Sequence, residues 1–355
     1  MNSLTNNVKY VQAEPLRQYC TALFESVGMP KDEAYINADN LVDADLTGVE
    51  SHGVSRMAIY LKRIRDGVVN PKCEIKVVAE HPAVLVIDAK NSMGAVASYK
   101  AMEMAIKKAK ASGVAFVTVR NSNHYGTAAY YTKMALEHDM IGFSSTNGPA
   151  RMAPWGGKDP YFGTNPFSIA VPAGQELPVV ADMATSLVAR GKIILAAKNN
   201  KEIPLGWAIN KDGEDTTNAK EALEGTVLPF GGPKGSAIAL LIDVFSGILA
   251  GASFGPHIKD MYANFEEPTN TGHIFGAFDI SKFIDTSLFK QNMDQMIREI
   301  KGSTPAKGVQ EIFLPGEIEL KKKQQRLKEG IPLSPAVIKE LKEEGALCRV
   351  AWTLD

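Results

Sequence analysis

AVLVIDAKNSMGAVASYKAMEMAIKKAKASGVAFVTVRNSNHYG, residues 83–126, is the stretch from which the fold class can be read. Residues 83–89 (AVLVIDA) are a short apolar, β-branched run of strand length. Residues 94–111 hold Met102, Met104 and Ala105 at helical spacing, and residues 113–120 (GVAFVTVR) make a second strand. Working outward, residues 127–138 predict another helix and residues 141–146 (IGFSST) a third strand. Strand, helix, strand, helix predicts an α/β region, written broadly as α/β (α+β) because the flanks are less regular.

Upstream, Leu16, Tyr19, Leu23 and Val27, then Ala34, Ala38, Leu41 and Val42, predict two helices within residues 15–45, with Pro30 at the start of the second. Residues 48–53 form a polar break, and a helix over 54–66 is closed by Gly67. After Pro149, glycine and proline cluster. Short strands follow at 167–171, 179–182 and near 273–278, with helices at 185–199, 236–250, 281–299 and 316–344. The 355 residues, 45% hydrophobic, suffice for two domains or one large domain with a lobe.

The 39 basic and 40 acidic residues give a net charge of -1, which offers nucleic acid or an acidic membrane no electrostatic footing. No apolar stretch approaches the roughly 18 residues of a membrane span. The start, MNSLTNNVKYVQAE, lacks the apolar core of a secretion signal. Cys20, Cys73 and Cys348 show no disulfide or zinc spacing, so a reducing, cytoplasmic setting is expected and no metal site. The GxGxxG fingerprint, a Walker loop and a GxSxG elbow are all missing, which disfavours a Rossmann dinucleotide turn and a serine hydrolase.

Several segments have the residue types for chemistry. In SHGVSR (51–56) and the Tyr60 that follows, His52, Arg56 and Tyr60 fall four apart and would share one helix face. A guanidinium to clamp a carboxylate and an imidazole to protonate a carbonyl oxygen suit a 2-keto acid. The helix N-terminus would lower the His52 pKa. On spacing alone, the simpler reading is that Ser51 caps a helix and the other side chains face water. RNSNHYG (120–126) lies in a loop at a strand's carboxyl end, where α/β proteins place ligands. His124 there reads equally as an acid/base or as a loop histidine fixed by asparagines. Residues 147–166 bring Asn147, Gly148, Thr164 and Asn165 in a loop rich in glycine and proline, which also reads as purely structural. DMATS (182–186) offers helix N-terminal amides to a phosphate or ribose, and Asp182 either orients a histidine or caps the helix. GGPKGS (231–236) presents Lys234 for a pyrophosphate or is a plain loop. LPGE (314–317) offers Glu317 to a ribose or starts a helix. His81, His138, His257 and His273 read as surface or packing residues.

Taken in order, SHGVSR (51–56), RNSNHYG (120–126), GTNPFSIAVP (163–172), DMATS (182–186), PLGWAINKDGEDTT (204–217), GGPKGSAIALLIDVFSGILAGASFG (231–255) and LPGE (314–317) resemble the type-2 malate/L-lactate dehydrogenase family. That family includes ureidoglycolate, sulfolactate, 2,3-diketogulonate and piperideine-2-carboxylate oxidoreductases, and the resemblance spans about residues 11–341. It implies NAD or NADP bound on a non-Rossmann sheet domain beside a mixed helical substrate domain, in a homodimer. Residues 1–140 with 285–355 would form the substrate and dimerisation part, and residues 141–284 the cofactor part. His52 and His124 fall on the family's acid/base histidines, with His52 preferred as proton donor and Asp182 as its orienting partner. Arg56, Ser51, Tyr60 and Thr164 would hold the substrate. Asn147, Gly148, Asp182, Met183, Ala184, Thr185, Lys234, Gly235, Pro315, Gly316 and Glu317 would contact the cofactor. Tyr125 stands where the family often has Phe, which would alter substrate polarity. The function expected is reversible hydride transfer between a nicotinamide and a small 2-hydroxy or 2-keto carboxylate. A cyclic imino acid reductase is a rival in the same class, and a non-catalytic binder of nucleotide or carboxylate is one in another.

Overall fold

A computed structural model describes residues 8–354. The chain opens with β1 (Lys9–Val11), α1 (Ala13–Ser26), α2 (Lys31–Leu46) and α3 (Met57–Arg65). The sheet region follows: β2 (Lys76–Glu80), β3 (Val84–Asp88), α4 (Gly94–Ser112), β4 (Val114–Ser122), α5 (Ala128–Leu136), β5 (Met140–Thr146), β6 (Phe167–Val171) and β7 (Val179–Met183). Next come α6 (Arg190–Lys198), β8 (Ala208–Ile209), α7 (Ala219–Glu224), β9 (Thr226–Val227), α8 (Pro233–Ile242) and β10 (Thr271–Asp279). The chain closes with α9 (Thr286–Lys301), α10 (Glu317–Glu329), β11 (Ile331–Leu333) and α11 (Pro335–Cys348).

Seven strands form one mixed sheet in the order β2-β3-β4-β10-β5-β6-β7. The segment 83–120 is the strand–helix–strand unit its sequence predicts: β3 and β4 pair in parallel, joined by α4. All other neighbours are antiparallel. β5 does not pair with β4, because β10, from far along the chain, inserts between them. Strands from both sides of residue 140 thus share the sheet. Helices α1, α2, α4 and α5 bury Leu16, Leu23, Leu41, Met102 and Tyr131 in one core with Ile87, Val117 and Phe275 of the sheet. A smaller core of Met152, Ile193, Ala208 and Ala239 lies under α6–α8.

Several predicted boundaries shift for local reasons. The helix expected over 54–66 begins as a 3-10 turn and becomes α-helical only at Met57. The one expected from 185 starts at Arg190, because Thr185 first bonds the Thr164 carbonyl through both N–H and Oγ1. The helix placed at 236–250 starts at Pro233 and turns into a π-helix over Asp243–Ile248. The 316–344 stretch is split at Gly330, whose φ is 95°, and Pro332 lies in β11, paired with β1. Among the described residues, no helix is long and apolar enough to cross a membrane.

Candidate active site

The first wall of the site is the turn before α3. Asp45, buried near the end of α2, accepts the Val54 N–H at 2.8 Å. A Cβ on Gly53 would lie 2.0 Å from the Asp45 carboxylate, so only glycine fits this approach. The chain therefore folds as two 3-10 turns, Glu50–His52 and Val54–Arg56, rather than one helix face. Burial raises the Asp45 carboxyl to about 7, the Val54 bond opposing and Glu50 adding to the shift.

The second wall is the loop after β4. Gly94 opens α4 directly against it, and a Cβ there would lie 2.1 Å from the Asn123 carbonyl and 2.4 Å from that of His124. This contact fixes the backbone that carries the second histidine. The rings of His52 and His124 stand 5.4 Å apart and nearly parallel, at 24°. Tyr60, from α3, has its hydroxyl 2.5 Å from His124 Nδ1, and the Gly126 N–H points at the same nitrogen from 3.4 Å. Ser51 Oγ lies 3.0 Å from His52 Nδ1. Arg56 donates from Nε to the Ser51 carbonyl at 2.6 Å, and its guanidinium carbon sits 5.4 Å from the centre of the Tyr262 ring. Its terminal nitrogens have no partner among the described residues, so a fork of donors remains for a carboxylate. SHGVSR and RNSNHYG, far apart in sequence, thus meet as sequence reading expected, although the single helix face does not form.

Both imidazoles are held neutral. Burial, then Arg56, lowers His52 to about 4. His124 is pushed well below the usual range by burial, then by His52, Arg56 and His273. The helix N-terminus expected to lower His52 is not there, and desolvation does the work instead. Tyr60 is driven well above the usual phenol range by burial, so its hydroxyl is a donor to His124.

The remaining predicted residues fall into four groups. Asp182 and Met183 end β7, with Ala184 and Thr185 following. The Asp182 carboxylate accepts the Ala129 N–H at 2.9 Å and contacts neither imidazole among the described residues. Desolvation of the carboxyl group raises it to about 6, with the Ala129 bond and Lys133 opposing. Thr164 meets Thr185 through its carbonyl, as above. Beyond β5, the Asn147 side chain is committed to Asp243 (2.9 Å), the Ser253 carbonyl (2.8 Å) and the Gly272 N–H (3.0 Å), while Gly148 has nothing within 4 Å of a Cβ position. Lys234 is exposed and Gly235 buried at the start of α8. Pro315 accepts the Val180 N–H with its carbonyl at 2.9 Å, and Gly316 packs against Val180. The buried Glu317 carboxylate is gripped by Lys301 at 2.7 and 2.8 Å.

Sequence reading missed three contributors. Asp45 lies inside a helical run with nothing to distinguish it. Tyr262 belongs to a segment without periodicity, tied down by Arg63 donating to the carbonyls of Met261 (3.1 Å) and Asn264 (2.6 Å), and by Asp260 pairing with Arg151. His273 is no surface residue but lies in the middle of the sheet. Tyr125 is also buried and stacks on His273, so the Tyr-for-Phe exchange adds a hydroxyl 3.4 Å from Ser144 in the core and no polar group in the cleft.

Comparison with known proteins bears on the family and the fold. The family model for malate/L-lactate dehydrogenase matches residues 11–342. The L-sulfolactate dehydrogenase of Methanocaldococcus jannaschii is 45% identical over 321 residues, covering 90% of this chain and 92% of that protein. The malate dehydrogenase of Pyrococcus horikoshii is 41% identical over 341 residues, covering 94% of each. The solved structure of the Methanocaldococcus jannaschii sulfolactate dehydrogenase superimposes with a TM-score of 0.92 at 42% identity, over 96% of this chain and 98% of that one.

Proposed function

The chain belongs to the malate/L-lactate dehydrogenase family, and on that footing we propose that it moves hydride reversibly between NAD or NADP and the second carbon of a small 2-hydroxy or 2-keto carboxylate. It is an NAD(P)-dependent oxidoreductase of CH–OH donors. The observation that carries the reading of the site is the stacked, neutral pair His52–His124 with the open fork of Arg56 beside it.

Arg56 grips the substrate carboxylate in the plane set by Ser51 and Tyr262. Two donors, Tyr60 and Gly126, face His124 Nδ1, which favours the proton on Nε2 and keeps that ring a neutral hydrogen-bond donor to the carbonyl oxygen. His52 has only the Ser51 hydroxyl at its Nδ1, so in oxidation the neutral ring is free to accept the proton that the substrate hydroxyl loses, and in reduction the ring, once protonated, returns that proton to the oxygen. Charging both rings at 5.4 Å is disfavoured, so only one imidazolium forms at a time.

The groups around β5, β7 and α8 fit a nicotinamide dinucleotide. Gly148 leaves open space against the backbone, and Lys234 follows Gly231 and Gly232, which have φ values of 57° and 61°, at the start of a helix. Asp182 to Thr185, Gly235 and the Pro315–Glu317 turn complete the contacts proposed. The bound nicotinamide supplies or takes up the hydride. In this reading residues 141–284 form the non-Rossmann cofactor part, and residues 1–140 with 285–355 the substrate and dimerisation part, the division running through the shared sheet. Exposed Leu240, Leu241, Phe245, Ile248 and Leu249 support a homodimer. The buried free thiols of Cys20 and Cys73 suit the cytoplasm.

The test is nicotinamide absorbance with each cofactor against 2-keto acids, 2-hydroxy acids and cyclic imines. Turnover of a 2-hydroxy acid is expected. Turnover of imines alone would replace the substrate class, and none with either cofactor would sink the proposal. His52→Ala is expected to lower kcat on the order of a hundredfold while sparing cofactor binding.

A further inference from the structure

We propose that His273 is a positioning residue that ties the loop bearing His124 to the loop beyond β5, Asn147 and Gly148. This rests on the reading of those loops as catalytic and cofactor-bearing. His273 is 0% exposed and lies on β10, the strand between β4 and β5. Its Nε2 lies 2.8 Å from the hydroxyl of Ser122, the last residue of β4. Its Nδ1 lies 2.7 Å from the hydroxyl of Thr146, the last residue of β5. His124 is two residues beyond the first anchor and Asn147 directly follows the second. One imidazole therefore buckles together the ends of two strands that do not pair with each other.

The ring is also the base of an aromatic pile. Tyr125 stacks on it at 4.7 Å and 5°, and Tyr131 stacks on Tyr125 at 5.0 Å. Tyr131 donates its hydroxyl to the Tyr125 carbonyl. Tyr125 follows His124 in the chain, so the pile sets the height of the catalytic loop above the sheet. Apolar packing alone would need neither ring nitrogen, yet both are matched by hydroxyls at strand ends. The groups around the ring are Ser122, Thr146, Tyr125 and Phe275, with the Asn123 backbone nearby and His124, itself held neutral, beyond, and none of them carries a charge at neutral pH. Burial holds the imidazole down to about 3, so the buckle stays neutral and adds no charge beneath His124.

Three substitutions separate a buckle from a packing residue. His273→Phe keeps a ring for Tyr125 and removes both hydroxyl contacts. Ser122→Ala removes the His124 side, and Thr146→Val the Asn147 side together with the bonds of the Thr146 hydroxyl to the Asn147 and Gly272 carbonyls, both 3.1 Å. We expect Ser122→Ala to lower kcat by about tenfold with the cofactor dissociation constant unchanged. Thr146→Val should raise that constant about tenfold, read by fluorescence quenching on NADH and NADPH, with kcat at saturating cofactor retained. His273→Phe should do both. General loosening would instead lower Tm in all three without this split. Variants whose kcat and cofactor affinity stay within about twofold of wild type, or Ser122→Ala and Thr146→Val with the same pattern, overturn the proposal. If His273→Phe does not fold, the other two carry the test. Gly148→Val checks the underlying reading. Unchanged cofactor affinity in that variant removes the cofactor role of the 147–148 loop, and kcat of Ser122→Ala then decides the tie alone, a fall supporting it and wild-type kcat overturning it.

Discussion

The hydroxyl of Tyr60 lies 2.5 Å from Nδ1 of His124, across 64 residues of chain. A phenol held protonated by burial donates there, which makes Nδ1 an acceptor and leaves Nε2 to face the substrate with its proton. Tyr60→Phe removes this donor at little cost in volume. Turnover should fall on the order of tenfold, with the pH profile of kcat/KM broadened or shifted as the tautomer is released. A variant with the wild-type rate and profile would show that Gly126 alone fixes the ring.

Tyr262 lies under the Arg56 guanidinium at 5.4 Å. Tyr262→Leu should raise the KM of the carboxylate substrate about threefold, the worth of an exposed cation–π contact, while Tyr262→Phe should not. Arg56→Lys loses the planar fork and should raise KM further, on the order of tenfold. Equal KM values for the Leu and Phe variants would mean the ring does not hold the clamp.

His273 gives a defined dependence of stability on pH. Its imidazole is held to about 3 in the fold against 6.5 in an unfolded chain. Below 6.5 the unfolded state binds the extra proton, so stability from this group is complete above that pH and is lost as pH falls toward 3. The slope is about 1.4 kcal/mol per pH unit. In urea titrations between about pH 6.5 and pH 4, His273→Phe should show a shallower acid loss than wild type by this amount. Parallel curves would mean that the ring protonates within the fold.

Asp182 titrates in the opposite sense. Its carboxyl is raised from 3.8 to about 6, so the folded state holds the proton more tightly and stability falls as pH rises through that window. Asp182→Asn keeps an oxygen for the Ala129 N–H and removes the loss, so Tm at neutral pH should hold or rise. If the carboxylate serves the reaction or the cofactor, kcat/KM should drop on the order of tenfold despite that stability. Wild-type kcat/KM would take Asp182 out of the machinery.

The elements themselves were largely legible in the chain. The βαβ unit at 83–120, the strand at 167–171 and the paired helices around Pro30 are written in local periodicity and punctuation, which act over a few residues. SHGVSR and RNSNHYG announced themselves by residue type. The helix face expected to carry His52, Arg56 and Tyr60 was misread because the Asp45 carboxylate, which occupies the space a Cβ on residue 53 would need, is set by packing between helices.

What the sequence by itself determined is most of the helices and the central strands, the absence of a Rossmann fingerprint and the candidacy of His52, His124 and Arg56. Only the tertiary structure decided the sheet order, with β10 inserted between β4 and β5. It alone turned His273 from an apparently isolated residue into the partner of Ser122, 151 positions away. It also laid Tyr262 on Arg56 and turned Tyr125 inward. Such contacts follow from long-range strand pairing and core packing, and no local period encodes which distant segment will arrive.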